Sequence, residues 1–236
     1  MTLQNIDNHT VQATTHRQRM SRRGVLAGGA MAGLASAFGF SAIAAQAGQR
    51  PSAGQMGPSG PASMTNQPSD DAMILNTALF YEHQAIWAYG FAATRLSDTD
   101  VGRAVKALAL RNQADHMAHR DALAAAVRSL GAMPVQTKDR YDLSAYINAG
   151  EGNIDSDVNI AKLALALETD AAIAYTKEIA KLKNPALITA GASIGSNEAA
   201  HATAIRAAFV ALGVNIPYVP GSFISADTRS SWVLKV

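Results

Sequence analysis

The sequence predicts an all-α protein, an antiparallel four-helix bundle whose second and third helices are joined by a long crossover. Three observations carry this. Four stretches between Ala72 and Leu212 place apolar residues at alternating steps of four and three, the spacing of a helix with one buried seam. The connections between those stretches run short, long, short. The third observation is an internal echo. The segment from Glu82 to Tyr89 recurs from Glu168 to Tyr175, with Glu, Ala, Ala and Tyr at the same offsets. His116-Met117-Ala118-His119 recurs as Glu198-Ala199-Ala200-His201, and His119 and His201 are followed at equal distances by Leu130-Gly131 and Leu212-Gly213. The body therefore reads as two copies of a two-helix unit.

Residues 1–47 read as an address label. Arg22-Arg23 opens a Gly/Ala-rich apolar run from Gly24 to Ala45, and Ala45-Gln46-Ala47 fits a small-residue cleavage site. This predicts a twin-arginine signal peptide and export to the periplasm through the twin-arginine machinery. The same run is long enough to span a bilayer, so an uncleaved anchor is the alternative. Residues 48–70 are Gly-, Pro-, Ser- and Gln-rich and predict a disordered linker.

Within the expected bundle, 71–213, Asp70 or Asp71 is available to cap a first helix from Ala72 to Leu96 with Leu75, Leu79, Glu82, Ile86, Tyr89 and Ala93 in its seam. Ser97-Asp98-Thr99-Asp100 turns into a second helix, from Val101 to Leu130, with Asn112, His116, His119 and Leu123 inward. Gly131 to Ser156 lacks a helical period, as expected of a segment that crosses the bundle. A third helix follows to Leu182 with Leu165, Glu168, Ala172 and Tyr175 inward. Asn184-Pro185 starts the fourth, which runs to Leu212 with Ile194, Glu198, His201 and Ile205 inward. Gly191 and Gly195 weaken this helix and predict close approach of a neighbour. The tail, 214–236, is irregular but ends apolar, which predicts packing on the bundle or on a second subunit.

Composition narrows the chemistry. The chain has no cysteine, which excludes disulfides, thiolate sites and iron–sulfur clusters. The net charge of +2 comes from the leader, which holds four of the 20 basic residues and one of the 18 acidic ones, so nothing in the body predicts a nucleic-acid surface. Only five glutamates occur, and three of them, Glu82, Glu168 and Glu198, occupy the repeated inward positions. A Glu and a His three apart on a helix lie on one face and can reach the same metal ion. Six inward ionisable groups, Glu82, His116, His119, Glu168, Glu198 and His201, have no lysine or arginine in the seams to answer them, and burying an unpaired charge costs several kcal/mol. Metal binding is favoured over a structural polar network. His83 steps off the seam to the outer face. Tyr89 and Tyr175 read either as core residues or as partners of the metal ligands.

Glu, x-x-x-His, Glu and Glu-x-x-His on successive helices, with this order of links, resembles the ferritin-like superfamily and its diiron and dimanganese carboxylate proteins. The resemblance covers residues 71 to 213. It implies terminal ligands at Glu82 and Glu168, a bridging Glu198, and histidine ligands at His119 and His201. It implies one or two iron ions per chain, with manganese as the alternative, a small oxidant or a metal ion as the partner, and a homodimer. His116 departs from the pattern, because it stands where a second bridging glutamate is expected and each imidazole nitrogen has one lone pair. Three functions are compatible: a metal-dependent oxidoreductase (ferroxidase, peroxidase or catalase-like), a non-catalytic iron-binding protein, and a metal-free structural or stress-related bundle.

Overall fold

The computed structural model describes residues 68–236. The expected signal peptide and nearly all of the expected linker lie outside the described residues. The fold is all-α, in chain order α1 (Asp70–Ala93), α2 (Asp100–Ser129), a short α3 (Ser144–Asn148) in the crossover, α4 (Asp157–Ile179), α5 (Pro185–Ala211) and a single turn, α6 (Arg229–Trp232), in the tail. Among the described residues no helix is long and apolar enough to cross a membrane.

Side chains that satisfy the first free N–H groups set the helix starts. Ser69, not Asp70 or Asp71, caps α1 by accepting from Ala72 N at 3.2 Å. Thr99, Ser156 and Asn184 cap α2, α4 and α5 in the same way. Asp71 is buried and reaches across the molecule, accepting from the backbone N–H groups of Lys183 (2.9 Å) and Asn184 (3.1 Å). Those donors are thereby withdrawn from helical bonding, which is why α4 ends at Ile179 and not at Leu182. Likewise α1 stops at Ala93, short of Leu96. The Thr94 hydroxyl donates back to Phe91 O, and the Ser97 backbone N–H and hydroxyl both donate to Asp157 at the head of α4. The repeated Leu-Gly pairs are matching helix stops, with Gly131 and Gly213 at φ +75° and +90°.

α1 pairs closely with α2, and α4 with α5, while the two hairpins meet more loosely. The expected close approach at the α5 glycines is present. A Cβ on Gly195 would lie 2.9 Å from Tyr175 Cβ, and one on Gly191 would lie 3.0 Å from Ile179 Cγ1. One apolar cluster gathers Leu75, Leu79, Val127, Leu187 and Ile194. Another gathers Leu165, Ala202, Ile205, Phe209 and Trp232. The inward Glu and His residues lie between them along the helices.

The crossover is pinned to the bundle along its length. Asn76 exchanges hydrogen bonds with Met133 O and Val135 N, and His83 meets Val135 O at 3.2 Å, so His83 is a half-buried anchor for the crossover and not an outer-face residue. Glu151 is buried and grips the tail through a forked pair with Arg229 (2.7 Å to each nitrogen) and through Lys235. Arg229 also pairs with Asp170 on α4.

Candidate metal centre

The midpoints of four helices converge on one buried cluster containing all six inward residues. Glu82 comes from α1, His116 and His119 from α2, Glu168 from α4, and Glu198 and His201 from α5. All are buried except His119, whose side chain is 12% exposed. His116 Nδ1 lies 2.8 Å from Glu82 Oε2, and its Nε2 lies 3.2 Å from Glu168 Oε1. His119 Nδ1 stands 3.0 Å from Glu198 Oε1. His201 Nδ1 is 3.3 Å from both Glu198 Oε2 and Glu168 Oε2.

Two overlapping sets of donors result. Glu82, His116, His119 and Glu198 form one and His116, Glu168, Glu198 and His201 the other, and in each the ligand atoms lie within 4.8 Å of one another. Oxygen and imidazole donors suit iron, manganese or zinc. Two atoms test whether such an ion fits. Among the described residues, His119 Nδ1 and Glu198 Oε1 are buried side-chain atoms without a hydrogen-bond partner, although they face each other. Leaving such atoms unsatisfied costs about 1–3 kcal/mol each, and either a proton on His119 Nδ1, which makes an imidazolium–carboxylate pair, or a metal cation bound by both atoms removes that penalty. The cluster can hold metal ions.

Further residues orient the donors. Tyr89 of α1 donates to Glu168 Oε1 of α4, and Tyr175 of α4 donates to Glu82 Oε1 of α1, so each repeat fixes the glutamate of the other. Asn112 donates to the Tyr89 hydroxyl at 3.0 Å. His201 presents Nε2 to Asp115 Oδ2 at 3.2 Å, and Asp115 is held in turn by Arg111 at 2.6 Å. A carboxylate on Nε2 fixes the tautomer that leaves the Nδ1 lone pair facing the cluster. Asp115 lies about 100° round the helix from His116, which makes it a poor substitute for a bridging glutamate on α2, and it serves instead the ligand of α5. Asn197 occupies the corresponding place on α5 and makes no hydrogen bond to His119, so the two halves are unequally supported.

Between α1 and α4 a cavity of about 290 Å³ reaches Tyr89, His116 and Glu168, with mostly apolar walls that include Phe91, Leu143, Leu163 and Leu167, and with Gln84 and Asp170 as polar lining. A neighbouring cavity of about 310 Å³ reaches Glu82 and Tyr175, and both touch His116, Tyr81 and Ala85.

A family model for the ferritin-like domain matches residues 70–211. The chain belongs to the ferritin-like domain family. Among solved structures, a conserved hypothetical protein from Mycobacterium tuberculosis shares the fold at a TM-score of 0.51 and 22% identity, over 65% of this chain and 96% of that one. No curated protein matches the chain.

The carboxylates and imidazoles of the cluster shift one another's proton affinities. Burial alone would push the histidines down, but the facing Glu198 and Glu82 carboxylates hold His119 up to about 9, and Glu168 and Glu198 hold His201 up to about 10. His116 is likewise raised, against its burial, by Glu168, Glu82 and Glu198. Burial would raise Glu82, yet His116 and His119 hold it down to about 2, whereas Glu198 is raised by burial and by the like charge of Glu168. Burial and the adjoining glutamates also raise Tyr89 and Tyr175, which therefore stay protonated donors.

A pH dependence with two opposite slopes follows. In chelated protein the contribution of His119 and His201 to stability is complete below their ordinary value of 6.5 and is lost as pH rises through about 9 and 10. The Glu82 contribution is present above 4.5 and is lost as pH falls through about 2. Metal ions need the neutral imidazoles, so affinity climbs over the same alkaline window in which the chelated fold weakens. Urea unfolding of chelated protein between pH 6 and 10, run beside metal titrations, checks this. Chelated stability that does not change over that range would refute the ion pairing.

Proposed function

We propose that this protein is an exported ferritin-like metalloprotein whose centre holds two iron ions, with manganese as the alternative, and reduces dioxygen or peroxide or oxidises Fe²⁺. The observation that carries the reading is the pair of overlapping donor sets sharing His116 and Glu198, with unpartnered His119 Nδ1 and Glu198 Oε1 turned into them. When bound, such ions supply electrons to a small oxidant. The chain's own residues do the remaining work. Glu82 and Glu168 hold charge close to the ions, Tyr89 and Tyr175 keep those carboxylates aimed, and Asp115 fixes His201. The mostly apolar cavity beside Glu168 and His116 gives a small uncharged oxidant a route to the centre. That access favours turnover over simple buffering of iron. The Arg22-Arg23 pair and the apolar run after it support export to the periplasm, and the exposed Tyr218, Val219 and Phe223 of the tail offer apolar surface for a homodimer.

Metal content per chain, measured by elemental mass spectrometry on protein exported without added metal, tests the reading. Two iron or manganese ions are expected. None, even after anaerobic reconstitution with Fe²⁺, would leave a metal-free bundle held by its Glu/His network.

The tyrosines provide a second test. Tyr89→Phe and Tyr175→Phe each remove one hydrogen bond from a ligand carboxylate without removing a ligand. Each is expected to weaken metal affinity about 10–100-fold, the usual effect of losing such an orienting partner, with helix content unchanged by circular dichroism. Wild-type affinity in both variants would make these tyrosines simple core residues.

A further inference from the structure

We propose that His116 bridges the two metal positions, one ion on each ring nitrogen, so that the centre is joined by an imidazolate as well as by Glu198. The inference rests on the metal-binding reading given above and assigns to His116 a role that its replacement of a glutamate would seem to rule out.

The position of the ring is the starting point. His116 is buried, and its ring lies between the two terminal carboxylates, Nδ1 towards Glu82 Oε2 (2.8 Å) and Nε2 towards Glu168 Oε1 (3.2 Å). Turned over, it would set carbon atoms against both carboxylates, so they select this orientation. Its neighbours hold it in place, with the rings of Tyr89, His119 and His201 at 5.6, 5.8 and 5.3 Å. One nitrogen cannot serve two ions, because it has a single lone pair. Two nitrogens facing opposite halves can.

Glu198 divides its oxygens in the same sense. Oε1 stands with His119 at 3.0 Å and with His116 Nδ1 at 3.7 Å, while Oε2 stands with His201 at 3.3 Å. Each half is then complete with four donors: one terminal glutamate, one histidine Nδ1, one Glu198 oxygen and one His116 nitrogen. Charge balance agrees. Two divalent ions carry four positive charges, and three carboxylates with one imidazolate carry four negative ones. Among the described residues no lysine or arginine side chain enters the cluster, and Arg111 is occupied by Asp115, so a neutral set avoids the cost of burying net charge. Each ion takes the place of one ring proton of His116, and the protons leave to solvent.

Geometry gives the observable. With metal–nitrogen bonds of about 2.0–2.1 Å on opposite sides of one imidazole, the ions stand about 5–6 Å apart. Carboxylate-bridged two-metal sites hold theirs at ~3.5–4 Å. The test is iron-edge X-ray absorption and anomalous diffraction on the full chain loaded anaerobically with Fe²⁺. Two irons about 5–6 Å apart with the His116 ring between them are expected, with no short iron–iron scattering. His116→Ala should lose at least one of the two ions. His116→Glu should keep both and draw them together to ~3.5–4 Å. A short pair in the wild type, a ring turned away from either ion, a single iron, or two ions retained by His116→Ala would overturn the bridge while leaving metal binding standing. No iron at all would overturn the metal reading itself.

Discussion

The double variant Glu198→Ala, His201→Ala is expected to emerge without bound metal and with no thermal shift on adding Fe²⁺ or Mn²⁺, while the wild-type chain holds two ions and is stabilised by them. Glu198 contributes to both donor sets and His201 to one, so the variant keeps three donors in one half and two in the other. Loss of a single orienting partner costs about 10–100-fold in affinity, and loss of two direct ligands costs more. Ligand binding at a thousand times the dissociation constant contributes about 4 kcal/mol to stability, which the wild type should gain and the variant should not. Comparison after chelation separates metal loss from misfolding. Glu198 is fully buried and raised by burial and by Glu168, so its removal relieves a crowded set of carboxylates, and the helices should persist by circular dichroism. A variant that still takes up two ions, or a wild type whose unfolding ignores metal, would defeat the reading.

Most of this centre was legible because a helix writes its inward face at steps of three and four. Glu82, Glu168 and Glu198 stood out against a chain with few glutamates, and their repeat named the partner helices before any coordinates were known. The contacts that aim these ligands were not legible, because they cross between repeats. Tyr89 shares a seam with Glu82 yet serves Glu168, and Tyr175 does the reverse. Asp115 looked misplaced on α2 because its target, His201, lies on α5. No local period reports which helix faces which. His116 is a different case, since its residue type argued against a bridge and only the orientation of its ring shows two donors facing two ways. Helix ends were misread where a distant group took the backbone donors, as Asp71 does at the end of α4. The short α3 escaped because five residues carry no period to detect.

Arg206→Met is expected to release the tail and cost about 2–4 kcal/mol while leaving the metal content unchanged. Arg206 is 2% exposed, and among the described residues no carboxylate pairs with it. It donates to Pro217 O at 3.0 Å and to Trp232 O at 2.6 Å, and so holds both ends of an otherwise irregular segment against α5. Methionine fills much of the same space but leaves the buried Trp232 carbonyl unpaired, at about 1–3 kcal/mol, while the exposed Pro217 turns its carbonyl to water, and Trp232 loses its anchor within the cluster of Leu165, Ile205 and Phe209. The expected signature is a red-shifted Trp232 emission and faster amide exchange over residues 217–236. The effect should spread through Arg229. That side chain ties Glu151 of the crossover to Asp170 of α4, and Asp170 lines both cavities that reach the metal ligands. With the tail loosened, Leu143 and Tyr146 are held over the cavity between α1 and α4 by fewer contacts, and exchange should also quicken across 141–154. Arg206→Lys supplies the comparison. One ammonium cannot span both carbonyls as the guanidinium fork does, so an intermediate loss is expected, and protection equal to wild type in both variants would show that apolar packing alone docks the tail.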